Sequence, residues 1–192
     1  MHYQSLYDEI ERRLKQKRRV VVAIDGKSGA GKSSFSGILK QKYNECNVVS
    51  MDEFFLRSEQ RTPERFMEPG GNVDYERFVK EIALPLKSYN AFSYRPFCCK
   101  TMSLTAEVNV VPTSLTVIEG VYCLHPHICD ANIYDIKIFF CIDEDSQKHR
   151  LHRRDPKLFD RFVDEWIPME NNYFRRFDIQ KKCDFVFKVT DK

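Results

Sequence analysis

Eight residues, Gly26-Lys27-Ser28-Gly29-Ala30-Gly31-Lys32-Ser33, satisfy the pattern G-x-x-x-x-G-K-[ST], and their surroundings restrict what the chain can fold into. The apolar run Val20-Val21-Val22-Ala23-Ile24 comes directly before them, and Ser34-Phe35-Ser36-Gly37-Ile38-Leu39, with helical character, directly after. A strand that passes through a glycine-rich loop into a helix N-terminus is a phosphate site. The glycines let successive N–H groups converge on one concavity, and the helix adds its positive end. In this setting Gly26, Ser28, Gly29, Ala30, Gly31, Lys32, Ser33 and Ser34 are expected to hold the phosphates of ATP. Lys32 reaches the β- and γ-phosphates, and the Ser33 hydroxyl offers Mg²⁺ a hard oxygen.

At 192 residues and 42% hydrophobic content, the chain can bury one sizeable core and is short for two, so a single domain spanning 1–192 is expected. No apolar run approaches the roughly 20 residues of a membrane span. The stretch Met1 to Gln16 carries charge throughout, without the apolar centre of a signal peptide. A cytoplasmic protein without membrane partners is expected. The net charge of +3 is small, and the basic cluster Lys15, Lys17, Arg18, Arg19 leads into a buried strand without interleaved aromatics, which argues against nucleic acid as a partner. A homo-oligomer is compatible with all of this. Seven cysteines without a CxxC pair indicate reduced thiols. Cys123, His125, His127 and Cys129 place four metal-ligand types within seven residues. Their alternating spacing and the stiff Pro126 oppose convergence on one tetrahedral ion, so packing and capping are expected instead.

Hydrophobic periodicity then alternates along the chain. Tyr3, Leu6, Tyr7, Ile10 and Leu14 recur at helical spacing. β-Branched apolar runs at Val20–Ile24, Asn47–Met51, Leu115–Ile118, Ile136–Ile142 and Phe185–Val189 have the pattern of strands covered on both faces. Helical segments lie between them at Lys32–Tyr43, Asp74–Lys87, Ser146–Arg154 and Leu158–Lys181. In the last, Phe159, Phe162, Trp166, Met169, Tyr173 and Phe177 form an apolar stripe expected in the core, and Pro168 should break the helix or start a new one. The fold class is α/β: a P-loop NTPase fold with a five-stranded, mainly parallel sheet between helices. Two stretches interrupt it. Residues 57–73 are charged and contain Pro69-Gly70-Gly71, the character of a substrate loop. Residues 91–111 alternate as a β-hairpin outside the main sheet.

Ligands of open α/β sheets bind beyond the carboxyl ends of the strands, so acids just after apolar strand runs face the phosphates. Asp52 follows the second strand and is the expected base for an attacking hydroxyl, in reach of the Mg²⁺ shell. Glu119 follows the third and is expected to hold Mg²⁺ through water. Glu53 is a weaker substitute base. Arg150, Arg153 and Arg154 stand at i, i+3 and i+4 of one helix face. They are expected to close as a lid (144–156) and neutralise the transferring phosphoryl group, with Arg154 in a catalytic role beside Asp52 and Lys32.

The combination of Gly26 to Ser34, Ser50-Met51-Asp52-Glu53-Phe54-Phe55, Asn72-Val73-Asp74, Ile118-Glu119-Gly120-Val121-Tyr122 and Arg150 to Asp155 resembles the uridine kinase family of P-loop kinases, which also includes nicotinamide riboside kinases and phosphoribulokinases. The resemblance runs from about Val20 to Val189 with order and spacing preserved. It implies transfer of the ATP γ-phosphate, with Mg²⁺, to a primary hydroxyl of a small-molecule alcohol, typically the 5′-OH of a ribonucleoside such as uridine or cytidine. By the same resemblance Asp52 is the catalytic carboxylate, Phe55 joins it on the substrate side, and Asp74 holds ribose hydroxyls. It also implies that Tyr94 and Arg95 belong to the substrate hairpin and Glu170 and Tyr173 to late substrate-side positions. One departure stands out: family members that read uracil or cytosine place a histidine in the hairpin after the tyrosine, where this chain has Phe97-Cys98-Cys99-Lys100. Nicotinamide riboside, pantothenate or a sugar phosphate are then the alternative acceptors.

Overall fold

A computed structural model describes residues 3–190. The ends of the expected 1–192 span, Met1, His2, Asp191 and Lys192, lie outside the described residues. The five apolar runs form one parallel sheet of β1 (Val20–Gly26), β2 (Cys46–Ser50), β3 (Leu115–Glu119), β4 (Ile136–Ile142) and β5 (Phe185–Val189). They lie side by side in the order β2-β3-β1-β4-β5. Val22 of β1 sits opposite Val117 on one side and Ile136 on the other. Every residue of the central β1 is buried, as a continuous run without polar alternation requires. The edge strand β5 departs from expectation: Val186 and Lys188 are exposed, because with one neighbour the strand is covered on one face only.

Side chains of β1 alternate between two cores. Val20, Val22 and Ile24 pack with Leu6 and Ile10 of α1 (Gln4–Gln16) and with Phe35 and Leu39 of α2 (Lys32–Lys42). Val21 and Ala23 face the other way, onto Phe54, Phe78, Ile82 and Tyr173. A strand buried on both faces is held at both ends of its length, so the loop at its carboxyl end starts from a fixed position.

Two prolines shape the remaining helices in the same way. The expected helix from Asp74 runs through Tyr75–Phe78, a π-turn at Val79–Ala83 and Leu84–Ser88. The final helical stretch passes Phe159–Arg161, a π-turn at Phe162–Trp166 and α4 (Ile167–Arg176), with the helix α3 (Glu144–Arg154) preceding it. A proline ring clashes with the carbonyl four residues earlier. For Pro85 and Pro168 those carbonyls belong to Glu81 and Asp164, each inside the π-turn. The wider turn moves the carbonyl aside and the helix axis continues. Contrary to expectation, Pro168 neither breaks the helix nor starts a new one: the backbone stays helical from the π-turn into α4.

The hairpin is present as two short antiparallel ladders, Phe92–Tyr94 with Val108–Val110 and Phe97–Cys98 with Ser103–Leu104, outside the main sheet. The 57–73 stretch is closed at its base by a bridge between Phe55 and Val73. No helix among the described residues is long and apolar enough to cross a membrane.

Candidate active site

The phosphate loop leaves β1 through Gly26, whose φ of 134° is joined by 77° at Gly29 and 88° at Gly31. At Gly26 a Cβ would lie 2.0 Å from the Phe140 carbonyl oxygen, so both conformation and space demand glycine. Gly31 is the N-cap of α2, which aims the helix N-terminus into the loop. Lys32 is almost fully buried, and its Nζ donates to the carbonyls of Gly26 (2.7 Å) and Lys27 (3.1 Å). Its charge is thereby held over the loop's concave side.

Two other elements clasp Ser28. Its backbone N–H donates to Glu170 Oε2 at 3.0 Å and its hydroxyl to Glu170 Oε1. Its carbonyl accepts from Gln147 Nε2 of α3 at 3.1 Å. Glu170, implied by resemblance to lie on the substrate side, therefore sits against the phosphate loop. Burial pushes its carboxyl above the usual range, opposed by Lys32 and by the Ser28 hydrogen bonds. Glu170→Gln places an amide N–H₂ against one Ser28 donor. It is expected to raise the KM for ATP about tenfold, the scale of one charge-assisted hydrogen bond. An unchanged ATP KM in steady-state kinetics would show that this clasp does not shape the loop.

Sequence reasoning missed the residue that ties the loop to the rest of the site. Asp25, fully buried at the end of β1, accepts from the N–H of Gly26 (2.7 Å), Tyr122 (3.2 Å) and Leu124 (3.0 Å) and from the Tyr173 hydroxyl (2.8 Å). The one signal in the sequence is an acid at the last position of an otherwise apolar run. Tyr173, also implied as a substrate-side residue, is fully buried in this network and does not line the cleft. Desolvation raises Asp25 against the hydrogen bonds from Leu124, Gly26 and Tyr173 and the Lys32 charge, which favour its ionised form.

Beyond the loop, Ser33 Oγ donates to Glu119 Oε2 at 3.0 Å. Burial raises the Glu119 carboxyl, while hydrogen bonds from Ser50 and Ser33 and the Lys32 charge hold it down. Asp52 is exposed in the turn Met51–Phe54 after β2, near enough to Glu119 for their charges to interact. Ser33, Glu119 and Asp52 all border one cleft of about 1940 Å³. That exceeds the roughly 300–1,000 Å³ of one small-molecule site, leaving room for a nucleotide and a second molecule. The side chains fit Mg²⁺ held jointly with phosphates: one hydroxyl and one buried carboxylate, already adjacent, are a hard-oxygen set of the usual kind for that ion.

Arg150, Arg153 and Arg154 of α3 all reach this cleft. Arg150 Nη1 donates to the Gly29 carbonyl at 3.2 Å, and the Arg154 guanidinium lies 5.2 Å from the Phe162 ring centroid. Phe55 and Ser34 line the cleft as well. Ala30 is buried under the loop. Asp74, Tyr94 and Arg95 do not line it. Asp74 caps the helix at Arg77 N–H (3.0 Å), with Arg57 and Arg77 both 3.7 Å away. The Tyr94 hydroxyl donates to Glu53 Oε2 at 2.6 Å, which engages Glu53 behind the cleft. Arg95 donates to the carbonyls of Leu104 and Thr105 and cements the hairpin. The aromatic stripe expected in the core is divided: Tyr173 is buried in the main core, Phe162 is buried in a smaller cluster with Leu151 and Ile167 at the edge of the cleft, and Trp166 and Met169 form cleft wall. Helical period does not distinguish the two environments.

The cysteine–histidine cluster serves packing and anchors the 57–73 segment. His125 and His127 both stack on Tyr75, at 4.5 and 4.6 Å, and the Arg65 guanidinium lies 3.9 Å from that ring. Cys123 is fully buried and Cys129 Sγ donates to the Leu124 carbonyl. All seven cysteines are free thiols. Burial first, then the His127 charge, lowers His125 to about 4 from 6.5. The unfolded chain therefore takes up this proton before the folded one does. The contribution to stability is full above about pH 6.5 and is lost as pH falls toward 4. Urea midpoints of the wild type should fall across that window more steeply than those of His125→Phe, which keeps the stack without the titration. Parallel profiles would contradict the assignment.

No protein-family model matches the chain. Two curated relatives do: the uridine kinase of Latilactobacillus sakei, 23% identical over 84% of this chain and 81% of its own, and a protein of Schizosaccharomyces pombe named "Putative uridine kinase", 26% identical over 79% of this chain and 73% of its own. Among solved structures, one described as a "Possible Uridine Kinase" from Bacillus stearothermophilus superposes with a TM-score of 0.69 at 20% identity, covering 96% of this chain and all of that one. YFH7 of Saccharomyces cerevisiae, described as a "putative P-loop containing kinase with a circular permutation", does so with 0.63 at 14% identity over the whole of both chains. These two share the fold. The chain thus has the fold of these two structures and is similar in sequence to proteins named uridine kinase, a likeness that supports a P-loop kinase of the uridine kinase-like kind.

Proposed function

We propose that the chain, acting as one domain, transfers the γ-phosphate of ATP to a primary hydroxyl of a small molecule. The observation that carries this reading is the meeting, in one cleft, of the phosphate loop, the Ser33–Glu119 pair, the exposed Asp52 and three lid arginines. A hydrolase needs no acceptor space beyond its catalytic acid, whereas here the 57–73 segment and the hairpin extend the cleft past Asp52.

In this reading the loop amides and Lys32 fix the ATP tail. Ser33 and Glu119 would hold Mg²⁺, which would supply positive charge to offset that of the phosphate oxygens. Asp52 accepts the proton of the acceptor hydroxyl as its oxygen attacks phosphorus in line, and the bond to the β-phosphate oxygen breaks to release ADP. Arg150, Arg153 and Arg154 offset the charge spread over the equatorial oxygens and exclude water.

The relatives' names support a ribonucleoside 5′-OH, of uridine or cytidine, as the first acceptor class. The hairpin favours a second: it carries Cys99 and Lys100 at the cleft and no histidine, which supports a non-pyrimidine acceptor such as nicotinamide riboside, pantothenate or a sugar phosphate. ADP release with Mg-ATP across these compounds tests the reading. Strong stimulation by one of them supports the kinase. Slow release indifferent to all of them supports an NTPase or a nucleotide-binding protein instead.

A further inference from the structure

The cleft cations divide into two groups. Lys32 is held on the loop carbonyls, Arg150, Arg153 and Arg154 belong to the lid, and Arg161 pairs with Glu165 at 2.8 Å. Arg61 and Lys100 belong to neither the nucleotide side nor an ion pair. Arg61 comes from the 57–73 segment; its Nε donates to the Leu56 carbonyl at 2.9 Å and its guanidinium carbon is 5.9 Å from the Phe97 ring centroid. Lys100 stands at the turn of the hairpin, one residue after Cys99. Cys99 feels the charges of both Arg61 and Asp52, so the acid and the cation lie within the reach of one small molecule.

Among the described residues, the 57–73 segment and the hairpin contribute Arg61, Phe66, Asn72, Cys99, Lys100 and Met102 to the cleft wall, and no carboxylate. Neither Arg61 nor Lys100 has an acidic partner among the described residues. Two cations that line the cleft without an ion-pair partner form a subsite that an oxyanion would complete. A neutral nucleoside leaves both uncompensated.

We propose that the acceptor carries, besides the hydroxyl offered to Asp52, a carboxylate or phosphate group held by Arg61 and Lys100: a hydroxy acid or a sugar phosphate, with Phe66 and Met102 against its apolar body. This rests on the kinase reading above and deepens it. The transfer is unchanged: the hydroxyl oxygen bonds to the γ-phosphorus, ADP leaves, and the proton passes to Asp52.

The test measures Asp52-dependent ADP release with matched anionic and neutral acceptors: glycerate with glycerol, pantothenate with panthenol, ribulose 5-phosphate with ribulose, and uridine and cytidine alongside. One anionic member should outperform its neutral counterpart at least tenfold in kcat/KM, and whether it is an acid or a sugar phosphate identifies the anion. Arg61→Gln and Lys100→Gln, both exposed positions, should each raise the acceptor KM about tenfold with the ATP KM and the melting temperature unchanged. A nucleoside or a neutral member that works as well as any anion, or variants with wild-type acceptor KM, overturns the inference and leaves the kinase standing. ADP release that no acceptor accelerates overturns both.

Discussion

Replacing Asp52 by Asn is expected to lower turnover roughly 10²- to 10⁴-fold, the scale of a lost general base, with ATP affinity close to wild type. The substitution keeps size and removes the proton acceptor. The local structure offers no replacement: the neighbouring Glu53 carboxylate accepts the Tyr94 hydroxyl at 2.6 Å, and Glu119 accepts from Ser33. Asp52 is exposed, and its backbone N–H rests on the Ser50 hydroxyl at 3.4 Å, a contact the amide side chain does not disturb. Folding should therefore survive, and a thermal melt alongside kcat and KM checks it. Near-normal turnover would remove Asp52 from the chemistry.

Lys32→Ala should weaken ATP binding and turnover together, by on the order of 10² to 10³ in kcat/KM, as for loss of one preorganised charge-stabilising donor. Two effects combine there. The ammonium no longer meets the phosphates, and the carbonyls of Gly26 and Lys27, which it bridges at 2.7 and 3.1 Å, lose their donor in a nearly closed site. Unchanged kinetics would contradict the assignment of the loop itself.

How far the sequence can be read depends on whether a feature is local. The phosphate loop needs only contiguous residues, and the strand before it and helix after it are visible as a change of period from continuous to 3.6. The acids after β2 and β3 follow from strand ends, and the three cleft-lining arginines of α3 from one helix face. Asp25 is the opposite case: its partners Tyr122, Leu124 and Tyr173 are 97, 99 and 148 residues away, and only the closed sheet brings them together. Glu170 meets Ser28 across 142 residues for the same reason. Trp166 and Met169 look like core because a helix side facing a cleft is as apolar as one facing another helix. Arg61 and Lys100 come to one cleft with Asp52 only through the folding of the 57–73 segment and the hairpin.

The most direct test follows the fate of the labelled γ-phosphate of ATP with the wild type and Asp52→Asn, in the presence of the best acceptor from the matched panel. Label carried on the acceptor by the wild type, in stoichiometry with ADP and lost in Asp52→Asn, is the expected result. Label appearing as inorganic phosphate at the same rate with and without acceptor would contradict the account and leave a nucleotide hydrolase.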